Sequence, residues 1–320
     1  MKKIFIAISL VIIMVLSGCS QKAEEITGVT EETYNLEVDG GTIYGTLALP
    51  EGNGPFKVAI IHQGSGPTDR NGNSAIGGSN NSLKMVAEGL AKEGIASIRY
   101  DKRGIAESMS LVKDERDLVF EDYIEDLEKW IEKAKKDERF GDVYLIGHSE
   151  GALIAAVAAS RNDISGYISL AGVGEPAYET LRRQLSPQPK EVTDLTNPII
   201  DELVAGRTVS DVPDILAALF RDSVQPYLIS WFKYNPTEVY SNISAPMIII
   251  QGDNDFQVTV NDAEMLGNAT GLEPVIIAGM NHILKDAPTD ITENQKTYQN
   301  PVLPLHEELM KTIIDFINGN

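Results

Sequence analysis

Residues 143–151 read V-Y-L-I-G-H-S-E-G, and this stretch decides the fold. A short apolar run leads into a serine, Ser149, with a glycine two positions away on each side. An alanine-rich run over residues 152–159 follows at once. The pattern predicts a buried strand, a sharp turn and a helix, with the serine at the apex of the turn. Small residues are needed beside that apex because the chain reverses tightly there. The turn would project the serine hydroxyl above the sheet, next to a helix N-terminus that favours negative charge.

A serine hydroxyl is a poor nucleophile without a base that takes its proton and an acid that orients the base. When a serine stands on such a turn, these partners follow it in the order Asp or Glu, then His. The chain has four histidines. His62 and His148 precede the serine, so neither fits that order. His306 begins the last helical segment, which looks like a surface helix. The fourth, His282, lies in the loop G-M-N-H after a strand-like run over residues 275–278. We therefore predict that His282 is the base.

The acid should end the strand before that one. Residues 245–251 read A-P-M-I-I-I-Q, an apolar run typical of a strand buried on both faces. Gly252-Asp253-Asn254-Asp255 follows it. The spacing favours Asp255 as the acid, and Asp253 is the alternative. An aspartate beside a glycine is most often a turn former, which is the role we expect for Asp253.

Acyl-transfer chemistry also needs two N–H donors for the oxyanion that forms on the substrate carbonyl. One is the backbone N–H of the residue after the nucleophile, Glu150. The other should come from the loop after an earlier strand, where K-V-A-I-I (residues 57–61) is followed by H-Q-G-S-G-P. We predict Ser65 as this second donor, with Gly64 and Gln63 open as alternatives.

The remaining pattern alternates strands with helices, which predicts a mostly parallel sheet covered by helices on both faces. The domain should open with a hairpin of strands over residues 34–38 and 42–49. Apolar and aromatic residues recur at helical spacing between residues 120 and 134, which predicts a core-facing helix. Its other face, which includes Asp126, should be solvated.

About 70 residues separate two of the predicted strands, many more than the dozen or so that a crossover needs. We interpret residues 175–238 as a helical cap over the site, inserted between core segments 33–174 and 239–320. Caps shape the substrate pocket and exclude water. Possible pocket residues are Phe220, Tyr227, Trp231 and Phe232. Arg182 and Arg183 could read a substrate carboxylate, although a solvated helix face is the simpler interpretation.

The N-terminus has the pattern of an export signal. Lys2 and Lys3 precede about 13 apolar residues, which is short of the roughly 20 that span a membrane. The run ends in L-S-G-C, which resembles the lipobox of bacterial lipoproteins, and Cys19 is the only cysteine. We predict a signal peptide over residues 1–18, lipidation of Cys19 and an acidic tether over residues 19–32. The globular part would then be held at the outer face of the cell membrane. An ordinary secreted protein is the alternative.

The formal net charge of the 320-residue chain is −20. A strongly acidic surface argues against nucleic acid as a partner. No zinc-ligand spacing, Walker loop or G-x-G-x-x-G after a strand occurs in the sequence, so we expect neither a metal nor a cofactor.

Four runs together resemble a group of bacterial esterases in the α/β-hydrolase superfamily. They are T-I-Y-G-T-L-A-L-P, G-S-G-P-T-D-R-N-G-N, R-Y-D-K-R-G and G-H-S-E-G. The resemblance implies the α/β-hydrolase fold and a carboxylesterase that favours short acyl chains, with Ser149, Asp255 and His282 as its triad. It also implies that four charged residues pin the loops through ion pairs and hydrogen bonds: Asp69, Arg70, Asp101 and Arg103. Ala106 departs from the pattern, because family members often carry glycine there.

Two other functions stay open. Thioesterases and serine peptidases share the G-H-S-E-G turn, and the triad alone does not separate C–O, C–S and C–N cleavage. A peptidase would need an acidic anchor for a substrate amine in the cap, and three glutamates are available there: Glu175, Glu179 and Glu191. The second alternative is a surface lipoprotein that binds an ester-like ligand without cleaving it.

Overall fold

The structure, a computed structural model, describes residues 29–320. The predicted signal peptide, Cys19 and the first part of the predicted tether lie outside these residues. The described chain forms ten strands: β1 (Val29–Thr33), β2 (Leu36–Val38), β3 (Gly41–Ile43), β4 (Gly45–Pro50), β5 (Phe56–His62), β6 (Ala96–Tyr100), β7 (Phe140–His148), β8 (Gly166–Leu170), β9 (Met247–Gly252) and β10 (Val275–Ile277).

Eight of the strands form one sheet in the order β1-β4-β6-β5-β7-β8-β9-β10. The pairs from β6 to β10 are parallel, while β4 runs antiparallel to both β1 and β6. The α-helices are α1 (Ser82–Lys92), α2 (Phe120–Lys136), α3 (Glu150–Arg161), α4 (Ala177–Leu185), α5 (Lys190–Val204), α6 (Ala217–Phe220), α7 (Gln225–Trp231), α8 (Pro236–Ser241), α9 (Val260–Thr270), α10 (Ile291–Thr297) and α11 (Glu307–Gly319). This mostly parallel sheet between helices is the architecture that the sequence predicts. Among residues 29–320, no helix is long and apolar enough to cross a membrane.

The central strands are buried on both faces, which explains their continuous apolar sequences. In β5 the five residues from Val58 to His62 are all buried, and β7 is buried from Val143 onward. The parallel register pairs His62 at the end of β5 with Gly147 at the end of β7. This register places the loop after β5 beside the turn that carries Ser149.

Two apolar layers cover the sheet. One contains the predicted stripe of α2, in which Phe120, Trp130 and their neighbours at helical spacing are buried together with α3. The other packs α1 and α11 against the opposite face through side chains such as Leu90 and Ile313. His306 lies just before α11, and its ring accepts the N–H of Glu308 at 3.3 Å. The burial of Phe120 and Trp130 confirms the core-facing role predicted for α2.

Residues 175–238, which the sequence predicts as a cap, contain helices α4 to α7 and the start of α8, which ends at Ser241. We call α4 to α8 the cap. Much of it packs around its own apolar cluster, which includes Val192, Ile200, Leu203 and Phe220. The cap therefore has an interior of its own in addition to its contacts with the core.

The structure corrects three details of the sequence interpretation. Residues 29–32, predicted as tether, belong to β1, which pairs with β4 along the sheet edge. The predicted second hairpin strand is interrupted at Tyr44, so β2 and β3 form a small separate sheet and β4 joins the main one. Asp126 is only 1% exposed, because Arg103 reaches it with two hydrogen bonds of 2.6 Å each.

Candidate active site

Ser149 stands at the junction of β7 and α3 in a backbone conformation that few L-residues adopt, with φ 57° and ψ −124°. Its N–H donates to the carbonyl of Leu170 at the end of β8, at 2.9 Å. The flanking glycines have no room for a side chain. A Cβ on Gly147 would lie 2.4 Å from the carbonyl oxygen of Gly151, and a Cβ on Gly151 would lie 2.4 Å from that of Gln63. The strained serine is thus held by close backbone packing on both sides.

Asp255 and His282 lie on the loops after β9 and β10 and meet at this edge of the sheet. His282 Nδ1 is 2.7 Å from Asp255 Oδ2. The other carboxylate oxygen of Asp255 accepts the N–H groups of Gln257 and Val258 at 2.8 and 3.0 Å. Burial raises the pKa of Asp255, but the nearby His282 and these hydrogen bonds outweigh it and hold the pKa below its ordinary value. Asp255 is therefore suited to remain a carboxylate that orients the ring.

Asp253 has the turn-forming contact expected of it. Its Oδ1 accepts the N–H of Gly279 at 2.6 Å, so it ties the loop after β9 to the loop after β10. Of the two aspartates that the sequence offers as the acid, only Asp255 has a hydrogen bond to His282 in the structure.

His148, the residue before Ser149, contacts the loop that carries His282. It is buried, its ring centroid lies 4.9 Å from that of His282, and its Nε2–H donates to the backbone carbonyl of His282 at 2.7 Å. Burial, and then the proximity of His282, lower the pKa of His148 to about 4. His148 is therefore neutral at pH 7 and acts as a fixed donor to the loop of the base.

The hydroxyl of Ser149 makes no hydrogen bond to His282 within the described residues. Ser149 is half-buried, and the Nε2 atom of His282 is the ring nitrogen that Asp255 leaves free. In enzymes without bound substrate, the hydrogen bond between a nucleophile and its base is often long or poorly aligned. The structure therefore brings the three predicted residues to one edge of the sheet without the closed hydrogen-bond chain.

The loop after β5 approaches the nucleophile closely. A Cβ on Gly64 would lie 3.0 Å from the Cβ of Ser149, so this position also has little room for a side chain. The side chain of Gln63 turns away and donates to the carbonyl of Tyr100 at 2.9 Å. Ser65, the predicted oxyanion donor, is exposed next to Gly64. Its assignment stays a prediction, and Glu150 stays the predicted partner donor.

The side chain of Glu150 links the nucleophile turn to the cap. It is buried, and Tyr227 on α7 donates its hydroxyl hydrogen to Glu150 Oε1. Burial raises the pKa of Glu150, although the positive charge of Lys102 opposes the shift. A cap side chain therefore contacts the residue directly after the nucleophile.

The four predicted pocket residues separate into two groups. Tyr227 reaches Glu150, and Trp231 stacks on Phe120 of α2 with ring centroids 5.9 Å apart. Phe220 is fully buried and Phe232 is 6% exposed, both within the cluster of the cap. Both side chains stabilise the interior of the cap, and their role in lining a substrate pocket stays a prediction.

The charged cap residues singled out by the sequence are mostly engaged in ion pairs. Arg183 lies 2.8 Å from Asp262 on α9 and 3.4 Å from Glu175. Arg182 lies 2.6 Å from Asp201 and 3.9 Å from Glu179. These contacts make both arginines structural, and they leave Glu175 and Glu179 poorly suited to anchor a substrate amine.

Three of the four charged residues implied by the resemblance pin the neighbouring loops through side-chain contacts to one another or to the backbone. Arg70 pairs with Asp101 at 2.6 Å, and Asp69 accepts the N–H groups of Asn71 and Asn73. The fourth is Arg103, which holds Asp126. Ala106 has a positive φ of 45°, a conformation in which glycine is unstrained.

Two cavities lie away from the triad. One, of about 350 Å³, lies between α4 and α5 and is lined in part by Arg182 and Asn197. The other, of about 600 Å³, lies between the β2–β3 hairpin and α2. Neither is lined by Ser149, Asp255 or His282. Within residues 29–320, no cluster of three or more His, Cys, Asp and Glu side chains is arranged to hold a metal ion.

The chain is similar to known hydrolases in sequence and in fold. The sequence model of the family described as serine aminopeptidase, S33 matches residues 76–223, which include the nucleophile turn but not the loops of the acid and base. The chain is 28% identical over 268 residues to the esterase EstD of Thermotoga maritima, covering 79% of this chain and 60% of that protein. It therefore spans less than two thirds of the length of that relative.

Solved structures give the fold. Est1E from Butyrivibrio proteoclasticus superposes with a TM-score of 0.57 at 18% identity, covering 89% of this chain and 99% of that one. The acylaminoacyl peptidase of Pyrococcus horikoshii gives a TM-score of 0.57 at 13% identity, covering 92% of this chain and 42% of that one. Together with the eight-stranded sheet, these matches show that the chain has the α/β-hydrolase fold, as the sequence predicts.

Proposed function

We propose that this chain is a serine hydrolase that cleaves carboxylic esters through an acyl-enzyme intermediate. The observation that carries the proposal is the convergence of a strained Ser149 with the hydrogen-bonded pair of Asp255 and His282 at one edge of the sheet. Its similarity to the esterase EstD of Thermotoga maritima supports ester cleavage as the activity.

The positions of Ser149, Asp255 and His282 support the following mechanism. Nε2 of His282 takes the hydroxyl proton as Ser149 Oγ attacks the substrate carbonyl. The oxyanion that forms is stabilised by the N–H groups of Ser65 and Glu150. Asp255 holds Nδ1–H and stabilises the positive ring. His282 then gives its proton to the leaving alcohol, and water hydrolyses the acyl-enzyme by the same route.

Short acyl chains are the proposed substrates, as the resemblance to the esterase group implies. The contact between Tyr227 and Glu150 supports this preference, because it brings the cap down beside the nucleophile. A chain-length series of p-nitrophenyl esters tests it. We expect kcat/KM to be highest for acetate or butyrate and to fall toward octanoate and longer chains. A maximum at long chains would contradict the preference.

A peptidase activity is the second candidate, because the family model that matches residues 76–223 is described as serine aminopeptidase. The test is a matched pair of substrates with one acyl group, an alanine p-nitrophenyl ester and an alanine p-nitroanilide. An esterase should cleave the ester much faster than the ester hydrolyses spontaneously. It should barely cleave the anilide. Efficient cleavage of the anilide, lost when the substrate amine is acetylated, would establish the peptidase instead.

We also propose that the protein is exported and anchored through lipid on Cys19, as the L-S-G-C sequence suggests. Expression in bacteria fed a labelled fatty acid tests this. We expect label and membrane association for the full chain, and loss of both in Cys19→Ala. An unlabelled, freely released wild-type protein would favour ordinary secretion.

A further inference from the structure

Lys102 is a buried lysine that has no role in the mechanism proposed above. It lies directly after β6 and is 2% exposed. Its Nζ donates to the carbonyl oxygen of Gly64 at 2.6 Å and lies 3.3 Å from that of Gly66. It also lies 5.1 Å from the ring centroid of Tyr123. No carboxylate in residues 29–320 comes within ion-pair distance of it. Its closest partners are therefore backbone carbonyls of the loop after β5.

These two carbonyls flank Ser65, the predicted oxyanion donor. The Gly64 carbonyl and the Ser65 N–H belong to one peptide unit, in which the C=O and N–H bonds point in opposite directions. An ammonium fixed on the carbonyl therefore fixes the direction of the N–H as well. The second contact, to the carbonyl of Gly66, holds the Gly66–Pro67 peptide two units further along the loop, and so limits movement of the segment that contains Ser65. Gly64 itself lies against Ser149, so this peptide is next to the reacting hydroxyl.

The positive charge of the lysine matters in addition to its geometry. Hydrogen bonds from a charged donor are about twice as strong as neutral ones, and they polarise the group that accepts them. A polarised peptide is a stronger donor at its N–H end. Burying an ammonium without a carboxylate partner is costly, and burial lowers the pKa of Lys102 while the charge of Glu150 opposes that shift. A neutral donor would hold the loop at lower cost.

We propose that Lys102 is a positioning residue for the oxyanion site, which orients and polarises the Gly64–Ser65 peptide so that the Ser65 N–H stabilises the transition state. The inference rests on the proposed function, because it requires a substrate carbonyl that becomes an oxyanion. It assigns to the lysine of Y-D-K-R-G a role in the rate of the chemical step, with little part in substrate binding.

The test compares Lys102→Met with a matched control, Lys57→Met. Lys57 also donates to two backbone carbonyls, those of Ile317 and Asn320, but it lies near the start of β5, at the opposite end of the strand from the site. Loss of one oxyanion donor costs about 10²–10³ in kcat. Since Lys102 acts through such a donor, we expect a fall in kcat of about 10- to 100-fold with KM nearly unchanged. The control should keep the wild-type kcat.

A second measurement separates an oxyanion effect from general damage. Each protein is assayed with an ester and with its thiono analogue, in which sulfur replaces the carbonyl oxygen. Sulfur accepts hydrogen bonds weakly, so a functioning oxyanion site makes the oxygen ester react faster than the sulfur ester. The ratio of the two rates does not depend on how much of the protein is active. We expect the ratio to fall in Lys102→Met and to stay at the wild-type value in Lys57→Met.

An unchanged ratio in a folded Lys102→Met variant would overturn the proposal, whatever the loss of kcat. If Lys102→Met does not fold, Lys102→Gln is measured in its place, since it keeps an N–H donor and removes the charge. Failure of both to fold, with Lys57→Met folded, would assign Lys102 to stability alone and also overturn it. A wild-type protein without ester turnover would instead refute the proposed function.

Discussion

The edge of the sheet that carries Ser149, Asp255 and His282, which we call the catalytic edge, is held in place by different forces from the cap. At the catalytic edge, strained or glycine-dependent backbone and buried hydrogen bonds fix each group, as in the 2.7 Å contacts of His282 to Asp255 and His148. The cap has an apolar interior and half-exposed ion pairs at its margin, such as Arg221 with Glu115. Surface ion pairs contribute little, about 0–1 kcal/mol each. The difference leads us to expect that changes at the catalytic edge cost more activity than changes at the contacts of the cap.

The largest effect should come from the nucleophile and the base. We expect Ser149→Ala or His282→Ala to lower kcat by about 10⁴-fold or more, because triad members act as one unit. Neither change should alter the melting temperature much. Ser160→Ala, on the helix that follows the nucleophile, is the control and should keep full activity. Near wild-type turnover in either triad variant would remove the basis for the catalytic edge described above.

The glycines of the nucleophile turn should be the next most sensitive positions. In Gly147→Ala the new methyl group would meet the Gly151 carbonyl oxygen at 2.4 Å, so the turn must move or the protein must unfold. We expect a severe loss of both activity and thermal stability. Gly141→Ala, on the same strand, is the matched control, since its nearest new contact is 3.9 Å. Equal behaviour of the two variants in kcat and melting temperature would contradict the tight packing of the turn.

His148 should make the catalytic edge sensitive to acid. Its folded pKa of about 4 lies below the unfolded value of about 6.5, so the unfolded chain binds the extra proton between these values. Stability should therefore fall as the pH is lowered from 6.5 to 4, by up to about 3 kcal/mol from this residue. His148→Gln keeps an N–H donor without titrating, and its melting temperature should depend less on pH across that range. Identical pH profiles would show that His148 does not carry this loss.

The smallest effect should come from the contact between cap and core. Tyr227→Phe removes the hydroxyl that donates to Glu150 but keeps the ring. We expect a change of a few-fold in kcat/KM and a broader acyl-chain preference, because one hydrogen bond contributes about 1 kcal/mol. Tyr178→Phe, elsewhere in the cap, should change neither. A loss as large as that of the triad variants would mean that the cap takes part in the chemistry.

The catalytic edge could be predicted from the sequence to a large extent because topology dictates it. In a parallel sheet the loops after β7, β9 and β10 meet at one edge, so chain order alone placed Ser149, Asp255 and His282 near one another. The strand and turn residues around them are also distinctive. These features are local in sequence, so they can be recognised from this one sequence.

The partners of buried polar groups could not be predicted in the same way. Asp126 has the spacing of a solvated helix position, and only the arrival of Arg103 from the loop after β6 buries it. Nothing in Y-D-K-R-G indicates that Lys102 is buried. The contact of His148 with His282 joins residues 134 positions apart. The polar run that forms β1 becomes a strand only because β4 offers an unpaired edge. Tertiary packing determines these burials, hydrogen bonds and strand pairings, so the local sequence does not reveal them.

Above all, we propose that Ser149 is an activated nucleophile. The most direct test is to treat the soluble chain, beginning after Cys19, with a fluorophosphonate and to read the intact mass. We predict the addition of one phosphonyl group per chain, located on Ser149 by peptide mapping and absent in Ser149→Ala. A folded wild-type protein that stays unlabelled would contradict the claim, and a protein that binds an ester-like ligand without cleaving it would then be the better account.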